Sequence, residues 1–191
     1  YFSTDLNFNF VSQKKIFQSE SLIIDLLDSE LLNNPNLNAS INIKIKKIDK
    51  FEYLKDFFSE IHFGEGRISM KNFNTLWNDS VLIQSNEIEF LNDVESKKLV
   101  GELIFNFEDI ERFFRYFQIK RNHRDVFEKI KLDFVYDFTL DKVTMSNFRI
   151  DNKSFQNVDK FLNQYNKSGK NSLTKFSIRN FVKEFFKVYA G

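Results

Sequence analysis

The chain has no cysteine. That excludes disulfide staples and thiolate chemistry, and it leaves cytosol and periplasm equally open as compartments. Histidine is almost as scarce. His62 and His123 are the only two, and neither has a second histidine or a spaced carboxylate beside it of the kind a metal site needs. No G-x-S-x-G elbow offers a serine nucleophile. Glycine is limited to five residues; Gly64-Glu65-Gly66 lacks the further glycines and the following helix start of a phosphate loop, and reads as a tight turn. The single proline stands in Asn33-Asn34-Pro35-Asn36, a turn signal. No run approaches the roughly 20 apolar residues needed to span a bilayer, and no charged n-region precedes an apolar h-region. The 28 basic and 27 acidic residues are interspersed, so no basic block exists to engage nucleic acid. The chain begins at Tyr1 already in a strand-like alternation, and so reads as a fragment whose targeting segment lies upstream.

What is present is phenylalanine, 25 residues of it, together with abundant Asn, Lys and Ile. Codons for these residues are AT-rich, so the Phe count alone carries no ligand meaning. With 42% hydrophobic and 29% charged residues, the 191-residue chain should fold, as one domain or as part of a larger repetitive one.

The informative signal is period-2 alternation. Ile130, Leu132, Phe134, Tyr136 and Phe138 point one way, while Lys131, Asp133 and Asp137 point the other. Leu37, Ala39, Ile41, Ile43 and Ile45 repeat the pattern against Asn38, Ser40, Asn42, Lys44 and Lys46. Leu6, Phe8 and Phe10, leading through a polar turn to Ile16 and Phe17, suggest a hairpin, and Leu22, Ile24 and Leu26 resume the alternation. Further strands are expected at Ile68 and Met70, at Val81 and Ile83, at Ile88 and Phe90, at Leu99 to Phe107, and at Val143 to Ile150. Helical spacing is expected for Phe51, Leu54, Phe57, Phe58 and Ile61, for Glu108 to Gln118, and for two C-terminal stripes, Val158 to Tyr165 and Ile178 to Tyr189, with a flexible connection at Asn166 to Asn171. The fold class is therefore mainly β with short helices (α+β): a curved antiparallel sheet with one apolar face. Residues 1–156 form its β-rich part and residues 157–191 a helical cap.

Two carboxylate pairs, Glu87 with Glu89 and Asp133 with Asp137, could in principle serve as acid and base, but their neighbours on the same face are polar, as on a hydrated sheet face. Lys120, Arg121 and Arg124 make one small basic cluster just after Tyr116 and Phe117; an anionic headgroup could dock there, and a solvated helix end accounts for it equally.

In order along the chain, Ile41-Asn42-Ile43-Lys44-Ile45-Lys46-Lys47-Ile48, Glu65-Gly66-Arg67-Ile68, Leu76-Trp77-Asn78-Asp79 and Lys98-Leu99-Val100-Gly101-Glu102-Leu103 are followed by Phe113 to Ile119, Phe134 to Phe138, Phe148 to Asn152 and Arg179 to Phe186. This succession resembles the carboxy-terminal region of AsmA-like proteins. The resemblance is one of pattern and order over most of the chain, and it brings no catalytic motif. It implies a non-enzymatic segment of a Gram-negative envelope protein, held in the periplasm by an inner-membrane anchor outside this chain. It also implies kinship with bridge-like lipid-transfer proteins, whose apolar β-groove carries phospholipid between membranes. On that reading Ile41, Ile43, Ile45, Leu103, Phe105, Phe107, Leu132, Phe134, Tyr136 and Phe138 form the lipid-facing floor, phospholipid or another acyl lipid is the partner, and no cofactor or metal is expected. The alternatives are a structural or adhesive β-rich module with a closed core, and a hydrolase or transferase using the carboxylate pairs.

Overall fold

The computed structural model describes residues 2–12, 36–49, 51–92, 96–169, 171–172 and 174–191. One eight-stranded open sheet runs in strict sequence order: β1 (Phe2–Phe8), β2 (Ala39–Ile48), β3 (Phe51–Gly64), β4 (Arg67–Trp77), β5 (Val81–Asn92), β6 (Lys97–Phe107), β7 (Lys129–Asp137) and β8 (Lys142–Ile150). Helix α1 (Ile110–Phe117) and a short 3-10 turn (Arg121–His123) lie between β6 and β7, while α2 (Gln156–Lys167) and α3 (Lys175–Tyr189) follow β8. The mainly β class expected from alternation is what the chain adopts. The sheet is mixed, however, because β1 runs parallel to β2, and only the later pairs are antiparallel. Residues 9–38 separate these two strands, length enough for the crossover that parallel pairing requires. The expected second hairpin edge at Ile16 and Phe17, the alternation at Leu22 to Leu26 and most of the proline turn lie outside the described residues.

The helix expected around Phe51 to Ile61 is instead the long strand β3. Asp56, at φ 51°, sits where the β3–β4 register slips, and this bulge inserts one residue between Leu54 and Phe57. The two side chains thereby reach the same face at a spacing of three, which imitates helical periodicity. A similar slip in β5 between Gln84 and Ile88 joins the two short strands expected there into one. Asn72 in β4 and Asn147 in β8 also take positive φ beside register slips, so several bulges fall at mid-sheet. Hydroxyls on these strands meet backbone carbonyls at the irregularities: Ser59 donates to Lys71 at 3.2 Å, Thr75 to Lys55 at 2.9 Å and Ser85 to Glu87 at 3.1 Å.

The helices start and stop as their sequences dictate. Asp109 caps α1 by accepting from the Arg112 N–H at 2.9 Å, and left-handed Gln118 ends it. Thr174 caps α3 through the Ser177 N–H at 3.2 Å. Asn166 and Asn171, expected in a flexible connection, hold the outer edge of β8. The Asn166 amide donates to the Met145 carbonyl at 2.8 Å and its oxygen accepts from the Met145 N–H at 3.2 Å. The Asn171 amide donates to the Val143 carbonyl at 2.8 Å, and its own backbone carbonyl accepts from the Val143 N–H at 2.8 Å. Two side-chain amides thus satisfy an edge that would otherwise stand open.

Candidate functional site: an apolar sheet face and an aromatic pocket

Register places one apolar row across the whole sheet. Phe2, Ala39, Phe63, Ile68, Phe90, Leu99, Tyr136 and Val143 are successive cross-strand partners. A second row, Thr4, Ile41, Ile61, Met70, Ile88, Gly101, Phe134 and Met145, runs beside it. Beyond the bulges a third joins Thr75, Ile83, Phe105, Ile130 and Ile150. The opposite face carries ion pairs, Lys71 with Glu87 at 3.5 Å and Lys131 with Glu102 at 3.0 Å, as a hydrated surface does.

The ten floor residues expected from sequence fall into unlike surroundings. Leu103, Phe105, Phe107 and Leu132 pack in a core closed by the three helices, with Phe114, Phe117, Val158, Leu162, Phe185 and Phe186 above them. Tyr136 is buried in a second cluster with Ala39, Phe63, Ile68, Ile88, Phe90 and Leu99, against which Ile41 and Phe138 pack; Phe134 touches both clusters. Burial, with the Tyr136 hydroxyl donating to Asp141 at 2.8 Å, pushes that phenol's pKa well above the usual tyrosine range. Ile45 is buried and Ile43 half-buried, and outward from them the same face becomes exposed: Phe2 62%, Leu6 38% and Phe8 41%. From β2 to β8 the face is therefore largely packed core, whereas the apolar side chains of β1 are exposed.

Between the sheet and helices α1 and α3 lies a feature that alternation did not reveal. Tyr53 and Leu54 of β3, Trp77 of β4, Tyr116 and Phe117 of α1, and Lys175, Ile178 and Arg179 of α3 line a cavity of ≈ 90 Å³. Its walls are rings in edge contact, Tyr53 with Tyr116 at 4.6 Å and Trp77 with Tyr116 at 4.9 Å, while Phe117 stacks on Trp77 at 5.5 Å. Lys175 Nζ stands 5.9 Å above the Tyr53 ring. The nearby acid, Asp79, is already engaged by Lys55 at 2.9 Å and Arg112 at 3.6 Å. The Lys55 hydrogen bond, with the Lys55 and Arg112 charges, holds the Asp79 carboxyl below the ordinary aspartate range against desolvation. The only sequence signal here is Trp77, the chain's single tryptophan.

The catalytic candidates are placed apart from this pocket. Glu87 and Glu89 are exposed on the hydrated face. Asp137 accepts from the Thr139 and Leu140 N–H groups at 2.9 and 3.0 Å as a turn residue, and Asp133 accepts from the Asn147 amide. His62 meets Glu60 at 3.4 Å, and His123 lies in the 3-10 turn. In the basic cluster Arg124 is tied to the Ile119 carbonyl at 2.9 Å and to Glu111 at 3.2 Å, leaving Lys120 and Arg121 exposed. Among the described residues no group of His, Asp and Glu is arranged to hold a metal ion, and no helix is long and apolar enough to cross a membrane. No family model, curated protein or solved structure matches the chain.

Proposed function

We propose that this chain is a non-enzymatic segment of an AsmA-like envelope protein whose apolar sheet face holds acyl chains of phospholipid. The observation that supports this reading is the pair of rows crossing all eight strands, apolar except at Thr4 and Gly101, the first of them ending at Phe2, which is left in solvent on β1. Each buried CH₂ contributes about 0.8 kcal/mol, so a chain of around fourteen would gain on the order of 11 kcal/mol on a continuous floor and about half that on an interrupted one. A periplasmic setting, with an inner-membrane anchor outside this chain, belongs to the same proposal and follows from the resemblance alone.

The part of the face whose apolar side chains are exposed is the β1 side, where Leu6 sits opposite Ile43 of β2. Leu6→Asp and Ile43→Asp variants should fold and lose phospholipid that co-purifies with, or photo-crosslinks to, the wild-type chain. Unchanged lipid in folded variants defeats the assignment. A purified wild-type chain with no lipid detectable by mass spectrometry and none taken up from vesicles supports the rival, a β-rich module with a closed core. The helix-filled β6–β8 half and the buried second cluster are what favour that rival.

A further inference from the structure

The aromatic pocket opens beside the start of α3, and its rim is positive. Lys175, Arg179 and Lys183 recur at every fourth residue of α3 and so form one ridge along it. Among the described residues none of the three has a carboxylate partner; the helix's one acid, Glu184, faces Lys187 at 3.8 Å. Asp79 is held by Lys55 and Arg112 and does not neutralise the rim. Below the cations the walls are hydrophobic rings, and Leu54 shares its face with Phe57, whose ring meets Phe73 at 5.3 Å on the floor. A water-sized group needs about 10–15 Å³ of such space, so the ≈ 90 Å³ cavity has room for a phosphate and the first carbons of its ester.

We infer that this pocket is an anchoring site for the anionic headgroup of an acyl lipid, with Lys175 and Arg179 taking the phosphate, the Tyr53–Trp77–Tyr116 rings taking the glycerol and first methylenes, and the rest of the chain lying along the apolar sheet face. The inference rests on the acyl-lipid reading above and names the residues that orient the lipid on it. Charge-assisted hydrogen bonds from a guanidinium or ammonium group to phosphate contribute on the order of tenfold each in affinity. Arg179 supplies a planar fork and Lys175 a mobile point charge.

Trp77 reports on the pocket directly, being the only tryptophan. The intact chain is titrated with 1-oleoyl lysophosphatidate, with oleyl alcohol and with inorganic phosphate, following Trp77 emission, in the wild type, in a Lys175→Gln/Arg179→Gln double variant and in a Lys142→Gln control. Far-UV circular dichroism verifies the fold of each. Lysophosphatidate should shift the emission saturably and bind the double variant at least about tenfold more weakly. The Lys142→Gln control should match the wild type, and oleyl alcohol should bind all three alike. Equal lysophosphatidate affinity in the double variant, with oleyl alcohol still bound, overturns the headgroup site and leaves the acyl-chain face standing. Failure of both lipids to bind the folded wild type removes both readings. An emission shift saturated by inorganic phosphate at similar concentration assigns the pocket to a free anion and overturns the lipid assignment.

Discussion

If the helices close only part of the apolar face, two phenylalanines on one molecule should respond very unequally to truncation. Phe186 of α3 is 1% exposed, with rings of Phe185 at 5.1 Å, Phe114 at 5.2 Å, Phe127 at 5.8 Å and Phe113 at 5.9 Å around it. Replacing a phenylalanine so enclosed by alanine removes its transfer energy and leaves a cavity, a loss of about 3–5 kcal/mol, which is a large share of the roughly 5–15 kcal/mol by which a domain is stable. Phe8 of β1 is 41% exposed, and Phe8→Ala should cost no more than about 0.5 kcal/mol, as at other open sites. For a urea slope of about 2–3 kcal/mol per molar, Phe186→Ala moves the unfolding midpoint down by roughly 1–2.5 M, whereas Phe8→Ala leaves it within about 0.3 M. Urea titrations followed both by Trp77 emission and by far-UV circular dichroism measure this, and coincident curves license the two-state treatment. A Phe186→Ala midpoint no lower than that of Phe8→Ala refutes the helix-closed core. A Phe8→Ala loss as large as that of Phe186→Ala refutes the bare β1 side.

Gly101 stands in the second apolar row, where a Cβ would lie 3.0 Å from the Glu87 carbonyl oxygen and 3.1 Å from Ile88 Cγ1; Gly101→Ala should destabilise by about 1–3 kcal/mol, and a stabilised variant in thermal melts would contradict the tight β5–β6 approach. Asn171, 2% exposed, should cost about 1–3 kcal/mol when truncated to alanine because the Val143 carbonyl loses its donor, and sedimentation should show concentration-dependent association through the reopened β8 edge. Tyr136 has a raised folded-state pKa, so its contribution is complete below the unfolded value near 10 and is lost as pH climbs through the folded one. The wild type should therefore lose stability above about pH 10, and Tyr136→Phe should flatten part of that alkaline decline while costing roughly 0.5–1.5 kcal/mol at neutral pH for the lost Asp141 bond; equal alkaline slopes in the two proteins would rule this out.

Alternation located most of the sheet because a period-2 pattern needs no knowledge of partners: β2, β6 and β7 stand where their apolar residues put them. Caps did the same for α1, whose Asp109 and first-turn Glu111 announce its start. Legibility ended at the bulges. At Asp56 one inserted residue turned a strand into an apparent helix, and no local propensity distinguishes Leu54 and Phe57 at a bulge from the same pair on a helical stripe. The parallel partner of β1 was hidden for a different reason, since its pairing spans residues 9–38 and leaves no local mark. Asn166 and Asn171 looked like linker residues because side-chain amides that satisfy a strand edge have the composition of a loop. The aromatic pocket was invisible because its walls come from β3, β4, α1 and α3, and only the fold brings Tyr53 within ring contact of Tyr116.

Which part of the apolar face is core cannot be read from alternation, since a covered strand and a bare one alternate alike, but the widths show that two helices alone do not cover the sheet. Eight strands at about 4.8 Å spacing make a sheet roughly 34 Å across. Two helices lying side by side, each about 10 Å in diameter, cover roughly 20 Å of it. The apolar stripes of α2 and α3 through Val158, Leu162, Phe185 and Phe186, with Phe114 and Phe117 of α1, meet the β6–β8 rows as that width allows. On the same face Phe2, Leu6 and Phe8 of β1 stay in solvent, Phe105 and Phe107 lie under the helices, and Ala39, Phe63, Ile68 and Phe90 pack with Leu99 and Tyr136 in the second cluster. The face is thus one surface by register and three by packing: closed by helices where Trp77, Phe105 and Phe107 stand, buried in a cluster of its own strands around Phe63 and Tyr136, and exposed at Phe2, Leu6 and Phe8.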